Sequence, residues 1–273
     1  MKKNIWKLMM VFCALLLIAG CGNDTSTSKA DSKEKEKEKD GTVTFYVVRH
    51  GKTMLNTTDR VQGWSDAVLT PDGEKVVTAA GKGLKDVDFG AAYSSDSGRA
   101  IQTANLILKE SDKSADKKLQ TDERFREFNF GSYEGDLNEN MWTDIAKSQG
   151  KTLEEWQSAG LSPKDFANSV AALDKKRVKE GENWPAEDYA TIQARLKEGL
   201  TDVAKKESKK GDSNVLLVSH GLSIGALLDT IEPGYKLPSK GIQNASVTKI
   251  TYKDGKFSIE DVNDMSYVEN GSK

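Results

Sequence analysis

The sequence predicts an α/β fold, a three-layer α/β/α sandwich with a mainly parallel central sheet and an inserted helical lid. Three observations lead there. Two β-branched, apolar runs, Thr42–Val48 and Asn214–Ser219, have no alternating polar face, as expected of strands buried on both sides. Each run is followed within two residues by a His-Gly pair, and amphipathic helical patterns lie between the runs. Between Asp136 and Arg177 the pattern breaks into short amphipathic pieces that fit no sheet layer and read as an insertion.

Taken in order, Thr42–Val48 is a strand delivering the polar tip Arg49-His50-Gly51. Thr70-Pro71-Asp72-Gly73-Glu74 starts a helix, with Thr70 as N-cap, Pro71 at the first helical position and acids in the first turn. Ala91–Ser95 is a short strand and Ser97–Lys109 an apolar-periodic helix. The insertion pairs Trp142 with Ile145, Leu153 with Trp156, and Phe166 with Val170, and a longer helix follows from Ala186 to about Lys206. The strand Asn214–Ser219 ends at His220-Gly221, before a helix through Leu228. Ser246–Tyr252 and Lys256–Val262 alternate around Lys253-Asp254-Gly255, the signature of a hairpin. The domain therefore covers 42–273, with its helical insertion over about 136–210.

The N-terminus has a different character. Lys2, Lys3 and Lys7 precede an apolar run, Leu8–Ala19, of signal-peptide length and too short to span a bilayer comfortably. The run ends in Ile18-Ala19-Gly20-Cys21, which resembles the bacterial lipoprotein cleavage box. That resemblance implies a signal peptide over 1–20, acylation of Cys21, and export to the outer face of the membrane on a lipid anchor. An uncleaved anchor, or a plain signal peptide with an incidental Cys, is the alternative. Cys13 leaves with the peptide, so a mature chain would hold one cysteine and no internal disulfide. Residues 21–41 carry alternating Lys and Glu and no large apolar side chain, the composition of a disordered tether. As a coil it would reach roughly 25 Å.

Composition narrows the function classes. Forty Lys+Arg are set against 42 Asp+Glu, for a net charge of −2, which makes a nucleic-acid partner unexpected. Two histidines and the one retained cysteine offer no metal-ligand set. No metal and no cofactor are expected, and nothing in the sequence sets an oligomeric state.

Both histidines follow strands directly. In a parallel α/β sheet the carboxyl ends of the strands border the ligand crevice. Around them lie Arg49-His50-Gly51-Lys52-Thr53 with Asn56, then Gln62-Gly63-Trp64-Ser65-Asp66 and Ser94–Ala100 including Arg99. Arg126-Glu127-Phe128-Asn129-Phe130-Gly131 leads on to Glu134-Gly135, followed by Gly181-Glu182 with Arg195 downstream and then Val218-Ser219-His220-Gly221. In this order and spacing the motifs resemble the histidine phosphatase superfamily, the phosphoglycerate-mutase-like proteins.

The resemblance implies phosphoryl transfer on a small phosphorylated substrate, with His50 as nucleophile and a phosphohistidine intermediate. Arg49 and Arg99 would neutralise the phosphoryl oxygens and hold His50 unprotonated, and His220 would add a donor. Backbone N–H groups in the first turn after Gly221 would assist. Glu127 would protonate the leaving oxygen and then deprotonate the attacking water. Glu134 is the rival for that role, though its place before Gly135 resembles a structural turn position. Thr53, Asn56, Gln62 and Gly63 would contact the phosphate or its surroundings. Glu182 reads as a lid anchor or wall residue.

Three readings of the activity follow. Gly63-Trp64-Ser65-Asp66 looks mutase-like, but Phe-Asn-Phe-Gly follows Glu127 where phosphoglycerate mutases carry Arg-His-Tyr-Gly. The insertion also lacks paired arginines for a second anion, Lys175-Lys176-Arg177 being the nearest candidate. A metal-free phosphomonoesterase is the expectation, and the alternatives are a mutase-like phosphotransferase or a lipoprotein that binds a phosphorylated ligand without turnover. Trp142, Trp156 and Trp184 suit lid core better than a carbohydrate platform.

Overall fold

The computed structural model describes residues 40–159, 162–179, 181–238 and 240–273. The expected signal peptide, Cys21 and nearly all of the tether lie outside the described residues. The fold takes up the chain at Gly41, whose N–H donates to the Ser208 carbonyl at 2.8 Å.

The first half runs β1 (Val43–Arg49), α1 (Met54–Thr57), α2 (Pro71–Gly83), β2 (Phe89–Ser94), α3 (Gly98–Lys109) and β3 (Leu119–Thr121). Two 3-10 turns, at Glu123–Phe125 and Gly131–Tyr133, lead to α4 (Asn138–Ser148), α5 (Leu153–Ser158), α6 (Pro163–Arg177) and α7 (Tyr189–Ser208). The chain closes with β4 (Ser213–Ser219), α8 (Gly221–Ile231), β5 (Val247–Lys253), β6 (Lys256–Asp264) and α9 (Ser266–Gly271).

These strands form one six-stranded sheet in the order β3-β2-β4-β1-β5-β6. The first four strands of that order run parallel, and β5 and β6 close the edge antiparallel. In β1, Phe45 and Val47 pack on one face with Leu196 and Leu200 of α7 and Ile224 and Leu227 of α8. Val48 packs on the other face, with Leu216 and Val218 of β4, Val77 of α2 and Ile107 of α3. Successive strand residues thus feed two separate helical layers, which is why the buried runs read as continuously apolar.

Thr70 caps α2 as the sequence predicts, its hydroxyl accepting from the Gly73 N–H at 3.0 Å. The hairpin turn has positive φ at Asp254 and Gly255, the conformation that Asp-Gly supplies. The expected insertion over about 136–210 divides in two. Helices α4–α6 form a small cluster beside the strand tips, whereas α7 packs against β1 and α8 as a layer helix. Besides the one-turn α1 and the two 3-10 turns, two elements were not foreseen, β3 and α9. The latter lies so close to α2 that a Cβ on Gly83 would fall 2.0 Å from the Tyr267 carbonyl oxygen.

Candidate active site

Strands β1 and β4 are parallel neighbours with Arg49 opposite Ser219, so the residues after them, His50 and His220, emerge side by side. The His50 N–H donates to the Ser219 carbonyl at 3.0 Å, and the two imidazole centroids are 5.1 Å apart. Asn244 supports the same tip, its amide donating to the His50 carbonyl at 2.8 Å. Strand β2 lies on the other side of β4 and leads into α3, which carries Arg99 in its first turn. Three strand ends therefore supply two histidines and a buried arginine.

The state of His50 follows from its surroundings. Its ring is buried, and Nδ1 lies 2.8 Å from the Gly51 carbonyl oxygen. A carbonyl can only accept, so Nδ1 carries the proton and Nε2 keeps the lone pair. Burial, then Arg99 and Arg49, hold the His50 pKa well below the ordinary imidazole value. His220 is lowered likewise, by burial first and then by Arg99, His50, Arg195 and Arg49. Both rings are neutral at neutral pH, and His50 presents a nucleophilic nitrogen.

Arg99 is fully buried and held from one side. Its Nη1 meets Asp66 Oδ1 at 2.8 Å and the Ser65 carbonyl at 3.0 Å, and Nη2 meets the Gly63 carbonyl at 2.7 Å. Arg49 is tied through Nη1 to the Ile242 carbonyl. Among the described residues, Nε of Arg49, Nε of Arg99, Nε2 of Gln62 and both ring nitrogens of His220 are buried without a hydrogen-bond partner. Buried donors are normally satisfied. A cluster of such donors beside two cationic guanidiniums, around a neutral imidazole, suits a phosphate-sized anion.

The residues expected to contact substrate divide their tasks. Gln62 offers its amide nitrogen because the Thr53 hydroxyl, itself buried, donates to its Oε1 at 2.6 Å. Thr53 and Asn56 form a reciprocal capping box at the start of α1. Asn56 also lines the central cavity. Gly63 directs its N–H to Glu134 Oε2 and its carbonyl to Arg99, and a Cβ there would lie 2.1 Å from the Phe128 carbonyl oxygen. The close approach, rather than a free N–H, explains the glycine. Glu134 is the strut of this loop, its carboxylate accepting from the backbone N–H groups of Gly63, Trp64, Ser65 and Phe130.

Glu127 is buried at the N-terminus of α8. Its Oε1 accepts from the N–H of Ser223 at 2.9 Å and of Phe128 at 3.1 Å, and Oε2 from the N–H of Leu222 at 3.1 Å. The first-turn N–H groups expected to assist the phosphate thus serve the carboxyl at Leu222 and Ser223, because Glu127 occupies that helix end. Arg195 fixes the segment that carries it, donating to the carbonyls of Arg124, Arg126 and Glu127 while paired with Glu187.

Arg49, Gln62 and Glu127 wall one cavity of about 660 Å³, which extends to the insertion residues Met141, Trp142, Trp156 and Phe166. Arg177 takes no part in it. The guanidinium pairs with Asp136 and Asp144 and lies 4.0 Å from the Tyr133 ring centroid. Glu182 is exposed, with its carboxylate on the Lys179 N–H. Trp142 and Trp156 pack at the edge of the insertion's core, as expected, but Trp184 does not. It is 71% exposed and leans on Trp64, ring centroids 6.1 Å apart.

Asp66, Ser223 and Asn244 were not assigned roles by sequence reasoning. Asp66 lay inside a quoted motif. Ser223, three residues after His220, could have been read as the third helical residue. Asn244 had no local signal.

A family described as the histidine phosphatase superfamily (branch 1) matches residues 45–183 and 165–265. A phosphoglycerate mutase crystal structure from Bacillus anthracis is 42% identical, with a TM-score of 0.78, over 86% of this chain and 99% of its own. The bovine fructose-2,6-bisphosphatase TIGAR is 34% identical over 203 residues, 67% of this chain and 74% of the relative. An Erwinia tasmaniensis protein named "Probable phosphoglycerate mutase GpmB" is 26% identical over 234 residues, 82% of this chain and 94% of its own.

Proposed function

The chain belongs to the histidine phosphatase superfamily, and from that premise we propose that it hydrolyses phosphomonoesters through a phosphohistidine on His50. The observation that carries this reading is the set of buried, unpartnered donors on Arg49, Arg99, Gln62 and His220, gathered about an imidazole whose Nδ1 is committed to Gly51. The Nε2 lone pair attacks phosphorus, the ester P–O bond breaks, and Glu127 gives its proton to the departing oxygen. Arg49, Arg99, Gln62 and His220 stabilise the charge spread over the phosphoryl oxygens in passage. Water then attacks the phosphohistidine, Glu127 takes back a proton, the N–P bond breaks, and phosphate leaves with His50 neutral again.

A phosphoglycerate-mutase-like transfer is the second reading, favoured by the names of the Bacillus anthracis and Erwinia relatives. Against it, the insertion residues that line the cavity among the described residues are Asn138, Met141, Trp142, Trp156, Gln157 and Phe166, all uncharged. Arg177, the cation nearest to a second-anion clamp in sequence, is spent on Asp136, Asp144 and Tyr133. Water is then the acceptor the cavity favours.

The test is incubation of the chain in EDTA with a phosphomonoester labelled on phosphorus. Phosphate release, an acid-labile label on protein, and loss of both in His50→Ala are expected. Full turnover by His50→Ala would overturn the mechanism. Interconversion of 2- and 3-phosphoglycerate faster than phosphate release would select the mutase. We also propose that Cys21 is acylated and holds the enzyme on the outer face of the membrane, since Ile18-Ala19-Gly20-Cys21 ends an apolar run of signal length. Palmitate labelling that persists in Cys21→Ala would refute it.

A further inference from the structure

Beyond the strand tips, the cavity changes character. On one side it offers Arg49, Gln62 and Glu127, and on the other it is walled by Met141 of α4, Trp142 of α4, Trp156 of α5 and Phe166 of α6. Leu222 and Leu237 continue that apolar wall around the base of α8. The rings of the wall brace one another, Phe130 being a further lining residue. Phe166 packs on Phe130 with ring centroids 5.8 Å apart, and Trp156 lies 6.4 Å from Phe166. Trp142, Trp156, Leu222 and Leu237 are only partly buried, so their cavity-facing surface remains available to a ligand.

Among the described residues, the cations lining this cavity other than Arg49 are Arg60 and Lys240, and both are exposed. Arg60 also donates to the Gly135 carbonyl at 2.7 Å, which ties its guanidinium to the loop before α4. A small, highly charged alcohol such as a glycerate would find no cation on the insertion wall, and would leave apolar surface wet. A ring-bearing alcohol would cover the indoles and leucines and displace that water. A cavity of this size accommodates such a group, since about 300–1,000 Å³ is usual for sites that enclose organic ligands.

We propose that the enzyme selects phosphomonoesters whose alcohol part is an uncharged, apolar, ring-bearing group, seated against Trp142, Trp156 and Leu237 while the phosphoryl group occupies the arginine–histidine end. As a statement about substrates this rests on the phosphatase reading; as a statement about binding it does not. Leu237 closes the wall on the α8 side. It packs against α8 where Gly225 leaves room, since a Cβ at that glycine would lie 2.8 Å from Leu237 Cδ1.

The experiment compares benzylphosphonate with methylphosphonate, which cannot be hydrolysed at a P–O ester, by calorimetry on the full chain. In parallel, benzyl phosphate and ethyl phosphate, whose leaving alkoxides have comparable basicity, are compared by turnover. At least a tenfold preference for the benzyl member is expected in both pairs. Trp156→Ala and, independently, Leu237→Ser should each cut the benzyl-to-methyl affinity ratio at least threefold, the remaining methylphosphonate binding showing that the variant is folded. Equal affinity for the two phosphonates in the parent, or ratios unchanged in both variants, would overturn the proposal. Discrimination between phosphonates with no hydrolysis of either ester would uphold the pocket and defeat the phosphatase reading. Equal, His50-dependent hydrolysis with equal affinities would do the reverse.

Discussion

Ser223 Oγ lies 2.9 Å from Glu127 Oε1 and 2.8 Å from the Arg126 carbonyl oxygen. The hydroxyl has one proton and two lone pairs. It can donate to an ionised Glu127, or donate to the carbonyl and accept from a protonated one. A carboxyl that must give a proton and take one back is thereby served in both states without moving. Ser223→Ala keeps the backbone N–H on Oε1 and removes only this adaptable partner. Turnover of an alkyl phosphate should fall roughly tenfold. Turnover of p-nitrophenyl phosphate, whose leaving group needs no proton, should fall less in the first step. Pre-steady-state kinetics on both esters checks this, and equal losses would reduce Ser223 to a packing residue.

The pairing of Arg99 with Asp66 gives a second test. Asp66 also accepts from the Gly98 N–H, so one carboxylate fixes both the guanidinium and the start of α3. Asp66→Ala leaves a fully buried cation with carbonyl partners alone. Because the Asp66 side chain is itself 36% exposed, the cost should be modest for a broken buried pair, about 2 kcal/mol. Phosphate should restore part of it, because a bound dianion supplies the missing counter-charge. Urea midpoints with and without phosphate measure this. Equal phosphate stabilisation of parent and variant would show that Arg99 does not face the anion.

Much of this was legible in the sequence, for physical reasons. Buried parallel strands have no polar face, so β1 and β4 stood out, and each was followed by a histidine at the end that borders the crevice. Thr70-Pro71 announced α2 because cap chemistry is local. Other features depend on tertiary structure alone. Strand β3 is three residues long and paired on one side only. Helix α9 owes its place to glycine contacts with α2. Asn244 and Ser223 act through hydrogen bonds to residues remote in sequence. The use of the α8 N-terminus by Glu127 could not be foreseen from spacing, since either the carboxyl or the phosphate could fill it.

Glu134 makes a prediction that runs against substitution convention. Oε1 accepts from Trp64 and Phe130 N–H, and Oε2 from Gly63 and Ser65 N–H. In Glu134→Gln, either orientation of the amide turns an NH₂ group onto two N–H donors. The isosteric change should therefore destabilise at least as much as Glu134→Ala, by about 3 kcal/mol. It should also lower activity, because the loop carries Gln62 and the carbonyls that hold Arg99. Denaturant titrations of the two variants decide, and a well-tolerated Gln would mean that the loop is not pinned by this carboxylate.

The last prediction comes from the histidines themselves. The chain has only two, and both are buried in the site with pKa values well below 6.5. In the unfolded chain they would titrate near 6.5. As pH falls below that value the unfolded state binds protons that the folded state refuses, so stability drops. It is full above about pH 6.5 and declines on acidification by about 1.4 kcal/mol per pH unit for each histidine, until the folded-state values are reached. The depressed carboxyls, such as Asp122, Asp136 and Asp174, act at lower pH, because their unfolded values lie near 4. The interval from pH 5 to 6.5 therefore isolates the imidazoles. Urea unfolding in phosphate-free buffer should show a slope of about 1.4 kcal/mol per unit at pH 6.5 that steepens toward about 2.7 near pH 5, both roughly halved in His220→Gln. A flat profile would mean that the rings accept protons in the folded state. That in turn would remove the physical basis for a neutral His50 as nucleophile, because a protonated Nε2 has no lone pair to give.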